Sequence, residues 1–143
     1  MATPTPFAVR IVEWTESGPL LDRVRTIVFV DEQKVPREIE SDGRDGKCVH
    51  VLAESEGEAI GAGRLMADGR IGRMAVLAAW RGRGVGGAML TALMQEARRR
   101  GMRETYLHSQ SHAKDFYVRH GYVVEGEEYY EAGIAHIGMR AKL

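Results

Sequence analysis

Between Val85 and Ala97 an apolar residue returns at every fourth position: Val85, Met89, Leu93 and Ala97, with Leu90 and Met94 beside them. That spacing lays one apolar stripe along a helix, and Gly101 stands where a left-handed cap would end it. A second helix is predicted over "SGPLLDRVRTIVFV" (residues 17–30), where Leu20, Val24, Ile27 and Val28 share a face. Ser17 would cap it, with Pro19 near the first turn. "SHAKDFYVRHGY" reads as a short third helix, capped by Ser111 and stopped at Gly121. Strands are predicted at "AVRIVEW", "CVHVLAES", "AIGAGRLMA", "GRIGRMAVL", "ETYLHSQ", "YVVEGEEYY" and "AHIGMRAKL", with "EGE" and "EAG" as hairpin turns. The order is β-α-β-β-β-α-β-α-β-β, with no internal repeat and no domain boundary. The first residues, with Pro4 and Pro6, read as a frayed end. "DEQKVPREIESDGRDG", rich in charge and broken by Pro36 and two glycines, reads as a long functional loop.

Composition narrows the class. The 143 residues suffice for one domain with a real core, and 44% hydrophobic with 28% charged residues is an ordinary globular balance. Lys+Arg and Asp+Glu stand at 20 each, so no global charge draws the chain to nucleic acid or to an anionic membrane. Cys48 is the only cysteine, which excludes an internal disulfide and a thiolate zinc cluster; it is expected as a small buried strand residue. There is no signal-like start and no apolar run of membrane-spanning length, so a cytoplasmic protein without a bound metal is expected.

The chemistry concentrates in "RGRGVGG", residues 81–87, set between a strand and the long helix. Its glycines permit positive φ and close backbone approach. Successive N–H groups and the helix dipole then attract an anion, with Arg81 and Arg83 as charged donors. A merely tight turn needs fewer glycines. Gly82, Gly84 and Gly87 also satisfy G-x-G-x-x-G, but a dinucleotide site should follow the first strand and meet an acid at the end of the next. Here at least three strands precede the turn, and the next strand ends "YLHSQ" without an acid.

Read from Arg81 the pattern is R-x-x-G-x-G, and A-x-x-F-Y-x-x-x-G-Y follows from Ala113 to Tyr122. With the strand "RMAV" ahead of them, these motifs make the chain resemble the GCN5-related N-acetyltransferase (GNAT) superfamily over nearly its whole length. The resemblance implies an α/β (α+β) fold in one domain spanning 1–143. Its mixed central sheet would have about six to seven strands, splayed between the fourth and fifth. It implies acetyl-CoA as cosubstrate, with pyrophosphate on Arg81, Gly82, Arg83, Gly84, Val85, Gly86 and Gly87. Pantetheine would lie along Met74, Ala75 and Val76. The reaction would be direct attack by an amine on the thioester in a ternary complex. Tyr117 matches the tyrosine that stands near the sulfur; packing beside Phe116 is its structural alternative.

The glutamate that many relatives carry before the glycine turn is absent from "GRIGRMAV". The ending "GIAHIGMRAKL" is similar to acetyltransferases of the glyphosate-acetyltransferase kind, which makes His136 the candidate base, against an ordinary strand histidine. Arg25 and Arg73 align with arginines that surround an anionic amino substrate in that branch, and Glu32, in the long loop, is the remaining base candidate on the substrate side. His120 sits at a helix end, while His50 and His108 could face core or cleft. Acid-rich "DEQKVPREIESDGRD" and "EGEEYYE" would instead suit a polycation. Arg98, Arg99 and Arg100 read as a helix-end cluster rather than an RNA contact. The partner expected is a small-molecule amine; a homodimer is allowed but not required. A catalytically silent acetyl-CoA sensor on the same fold is the alternative function, and an NAD oxidoreductase a distant third.

Overall fold

The computed structural model describes residues 5–143, so Pro4 lies outside the described residues. Strand β1 (Ala8–Val12) leads into α1 (Trp14–Arg25), a π-helical turn (Thr26–Glu32) and the short α2 (Arg37–Glu40). The meander β2 (Val49–Ser55), β3 (Glu58–Leu65), β4 (Ile71–Val76) comes next, followed by α3 (Val85–Arg99). The chain closes with β5 (Glu104–Gln110), α4 (Lys114–Arg119), β6 (Val123–Glu131) and β7 (Ile134–Lys142).

The strands form an antiparallel sheet in order β1-β2-β3-β4 and a second in order β5-β7-β6. Central strand β2 is buried on both faces, and residue alternation assigns each side its own core. Val51 and Ala53 meet Met89, Leu90 and Leu93 of α3, while Leu52 meets Leu21, Val24 and Val28 on the α1 side. The two sheets touch at one parallel bridge, Arg70 with Tyr106, where the Tyr106 N–H donates to the Gly69 carbonyl at 3.1 Å. Beyond it β4 and β5 are not paired, which leaves an open seam.

Helix α1 starts three residues before the expected cap. The Glu13 carbonyl accepts the Ser17 N–H at 2.9 Å, and Ser17 is buried inside the helix. The Trp14 ring covers Gly18 and lies 5.3 Å from the His50 ring, so tertiary packing of Trp14 outweighs the capping preference of Ser17. "IVFV" is not α-helical but belongs to the π turn, in which the Gln33 N–H reaches the Val28 carbonyl at 3.0 Å. Part of the long loop is helical, at α2 and at a 3-10 turn over Asp45–Lys47. Cys48 is half-buried just ahead of β2, its thiol donating to the Arg44 carbonyl at 3.2 Å. Ser111 opens a 3-10 turn ahead of α4 and donates its hydroxyl to Glu128 at 2.8 Å instead of capping. No helix among the described residues is long and apolar enough to cross a membrane.

Candidate active site

Strand β4 carries an irregularity that shapes the seam. Its register with β3 shifts between Ala62 and Arg64, and Arg73 takes φ +52°. A bulge of this kind re-aims side chains, and here Arg70 through Met74 all border a cavity. Gly63, on β3 at the shift, makes room: a Cβ there would lie 2.5 Å from the Met74 sulfur.

The glycine turn borders the other end of the seam. Gly82 and Gly84 have φ +75° and +86°, values that L side chains resist. Helix α3 begins at Val85, and its first intrahelical bond runs from the Ala88 N–H to the Gly84 carbonyl at 3.1 Å. The N–H groups of Val85, Gly86 and Gly87 therefore have no acceptor within the helix. All three residues line a cleft of about 980 Å³, together with Met74, Ala75, Val76, Arg81, Gly82 and Gly84. Gly87 lets the His120 ring pack close: a Cβ there would stand 3.2 Å from Nε2. Arg81 donates from Nε to the Val76 carbonyl at 3.0 Å and from both Nη atoms to Glu32. Arg83 points elsewhere, stacking on Trp80 with 4.9 Å from guanidinium carbon to ring centre.

A second cavity of about 380 Å³ lies on the far side of the seam and contains Arg73, His108 and His136. Phe29, Met74, Gln110 and Tyr117 border both cavities. Tyr117 is 8% exposed, with its ring 5.0 Å from Phe116 and 5.7 Å from Tyr122. Burial first, and the neighbouring Tyr122 second, push its phenol far above the ordinary tyrosine range. It is held as a neutral O–H donor.

His136 Nδ1 lies 2.7 Å from the Ile134 carbonyl, which can only accept. Nδ1 is therefore the donor in this contact, and in the neutral ring Nε2 is the acceptor nitrogen. The ring stacks on Tyr129, its cross-strand partner, at 5.8 Å. Tyr129 in turn reaches across β7 to His108 Nδ1 at 2.6 Å. Burial, then the charge of Arg70, lowers the His108 pKa and keeps that ring neutral.

Not every residue singled out in the sequence lands on this seam. Arg25 is 1% exposed and borders neither cavity; its Nε donates to Glu40 and its Nη1 to Asp45, at 2.5 and 2.6 Å. No donor is left facing an acceptor molecule, so the substrate role expected of Arg25 is replaced by a structural one. Arg64 binds Asp42 and Asp45 in the same network. Three acids of the long loop, Glu40, Asp42 and Asp45, are therefore counter-charges for buried arginines. Glu32 borders the larger cleft, not the cavity of His136. His50 is buried and donates from Nε2 to the Asp45 carbonyl at 2.9 Å. Glu96 collects both Arg99 and Arg100, its one negative charge offsetting part of the helix-end cluster.

Tyr129, Gln33 and Phe29 carried no signal in the sequence. Gln33 lines the larger cleft and is tied to Gln110 by paired amide bonds, at 2.7 and 3.3 Å across 77 positions. Among the described residues no group of three or more His, Cys, Asp or Glu is placed to hold a metal ion.

Residues 21–143 match the acetyltransferase (GNAT) domain family. The chain is 39% identical over 120 residues to the uncharacterised N-acetyltransferase YjcF of Bacillus subtilis, covering 81% of this chain and 86% of that protein. An acyl-CoA N-acyltransferase from Pseudomonas aeruginosa superposes with a TM-score of 0.83 at 32% identity, over 95% of this chain and 99% of the other. ElaA of Escherichia coli gives 0.84 at 28% identity, over 95% and 99%. The fold is also that of a GNAT acetyltransferase from Elizabethkingia anophelis with acetyl-CoA bound (TM-score 0.71, 17% identity, 94% and 98% covered). The chain belongs to the GNAT family and is an acetyl-CoA-dependent N-acyltransferase.

Proposed function

We propose that the protein moves an acetyl group from acetyl-CoA in the larger cleft to the amine of a small molecule in the smaller cavity, by direct attack. The observation that carries this reading is the shared border: Tyr117, Met74, Gln110 and Phe29 belong to both cavities. A thioester lying along Met74, Ala75 and Val76 and an amine beside His136 would meet there, held for reaction without a covalent enzyme intermediate. One chain supplies both cavities, so a homodimer is not needed to complete the site.

The roles follow from the local chemistry. The unpaired N–H groups of Val85, Gly86 and Gly87, with Arg81, suit a pyrophosphate. His136 Nε2 takes the proton lost by the attacking nitrogen as the new C–N bond forms and the C–S bond breaks. Tyr117 donates a hydrogen bond to the departing sulfur. Because burial has made its phenol a far weaker acid than a thiol, full proton transfer to sulfur is uphill, and stabilisation of the developing thiolate is its contribution. The free thiol then forms with a proton from solvent. Arg73 stays on the acceptor side, while Glu32 acts on the cofactor side through Arg81.

The test is release of CoA thiol from acetyl-CoA in the presence of small amines. Tyr117→Phe should lower kcat about a hundredfold while leaving the acetyl-CoA KM nearly unchanged, the loss of one positioned donor. An unchanged kcat would remove Tyr117 from the mechanism. Absence of turnover with bound acetyl-CoA would favour the silent sensor.

A further inference from the structure

His136, the base of the proposed reaction, is packed against a residue that borders neither cavity. Strand β6 slips against β7 between Glu125, which pairs with Gly138, and Tyr129, which pairs with His136. Regular pairing onward from Glu125 would have set Glu127 opposite His136. Gly126, at φ +74°, begins the slip, and Glu128 within it accepts the Ser111 hydroxyl at 2.8 Å. A bulge re-aims side chains, and this one brings an aromatic ring rather than a carboxylate beside the imidazole.

Partners across an antiparallel pair share a face, and so do residues two apart on one strand. Tyr129, His136 and, through its partner Gly138, His108 therefore project from the same face of the three-stranded sheet. The Tyr129 and His136 rings are stacked, 25° from parallel with centres 5.8 Å apart. The Tyr129 hydroxyl lies 2.6 Å from His108 Nδ1. His108 packs in turn against Tyr106, centres 6.3 Å apart, and the Tyr106 hydroxyl donates to Asp68. Burial, then the charge of Glu131, raises the pKa of the Tyr129 phenol, so the Tyr129–His108 contact joins two neutral groups.

The bond from Nδ1 to the Ile134 carbonyl fixes one edge of the His136 ring and leaves its tilt about that edge open. Tyr129 covers a face of the ring and removes that freedom. A reacting group must be held within about 0.5 Å and 10–20° of its productive pose, and supporting contacts supply this. Resting on the reading of His136 as the base, we infer that Tyr129 is a positioning residue for acetyl transfer. Its ring holds the His136 imidazole for proton removal, and His108 holds the Tyr129 hydroxyl.

The experiment follows CoA thiol release by full-chain variants with the best amine of a small-amine screen, with melting temperatures alongside. Tyr129→Leu should lower kcat about tenfold and leave the acetyl-CoA KM within about twofold. The same substitution made in His136→Ala should change kcat by less than about twofold, because the ring that Tyr129 positions is gone. Tyr129→Phe keeps the stack and should recover most of the loss. Its small remainder should match that of His108→Gln, with the two together no worse than either alone.

Full kcat in Tyr129→Leu would overturn the inference. So would an equal loss in both backgrounds, the mark of a role in the fold alone. A Tyr129→Phe variant as slow as Tyr129→Leu would also overturn it, since the ring would then not be what positions the base. Should Tyr129→Leu unfold, Tyr129→Phe and His108→Gln still decide, because losses that add would mean that His108 does not act through Tyr129. All these failures leave His136 as the base. Full kcat in His136→Ala alone would remove that assignment, and this inference would fall with it.

Discussion

Glu32 and Arg81 meet in a two-pronged ion pair, Oε2 to Nη1 at 2.7 Å and Oε1 to Nη2 at 2.8 Å, across the mouth of the larger cleft. The fork that would bind a phosphate is occupied by the protein's own carboxylate, and the Arg81 guanidinium holds the Glu32 carboxyl below its usual pKa range. Because Glu32 projects from the π turn, the pair also ties that turn to the start of α3. Phosphate binding must displace or share this partner.

Glu32→Gln should therefore tighten acetyl-CoA binding. Both side chains are about two-fifths exposed, so the pair is worth about 0.2–1 kcal/mol, roughly a 1.5- to 5-fold fall in Kd. Calorimetric titration of the variant reads this directly. An unchanged or weaker Kd would mean that Glu32 does not compete for Arg81.

Arg25 gives the opposite kind of prediction. Its guanidinium is buried between Glu40 and Asp45, so Arg25→Ala strips the buried Glu40 of its cation and leaves Asp45 with Arg64 alone. The expected loss is about 3–5 kcal/mol, visible as a lower urea midpoint. A stable Arg25→Ala protein that had lost only turnover would return Arg25 to the substrate.

These two residues show what could be read in advance. The order of strands and helices follows from local periodicity, and the glycine turn from its own seven residues, so both were legible. Arg25 was not, because its partners lie 15 and 20 positions onward in a segment without periodicity. Ser17 looked like a cap for the same reason that misplaced the start of α1: capping preference is local, whereas the packing of Trp14 on Gly18 and His50 is not. The π turn that presents Phe29, Glu32 and Gln33 has no sequence pattern of its own. His136 and Tyr117 could be named from motifs, but their placement on one seam depends on how β4 and β5 part.

His50 supplies a pH signature. Burial lowers its pKa below the ordinary histidine value of about 6.5, because the imidazolium loses water it cannot replace. As pH falls through about 6.5 the unfolded chain binds the proton first, so the stability present above that pH is progressively lost. Asp42, Asp45 and Glu96, all depressed by arginine partners, add a further loss below about pH 4, with Glu96 held down to about 2. Melting temperatures from pH 7.5 to 5.5 should fall for the wild type. They should fall less for His50→Gln, whose remaining slope comes from the depressed His108. Equal slopes in the two proteins would contradict a neutral buried His50.

The central claim is that acetyl-CoA and acceptor occupy the two cavities together and react across Tyr117. Initial rates with acetyl-CoA and the best amine, each varied at several fixed levels of the other, test it most directly. The account predicts intersecting double-reciprocal lines, the pattern of a ternary complex. Parallel lines would indicate an acetylated enzyme formed before the amine binds, and would contradict it.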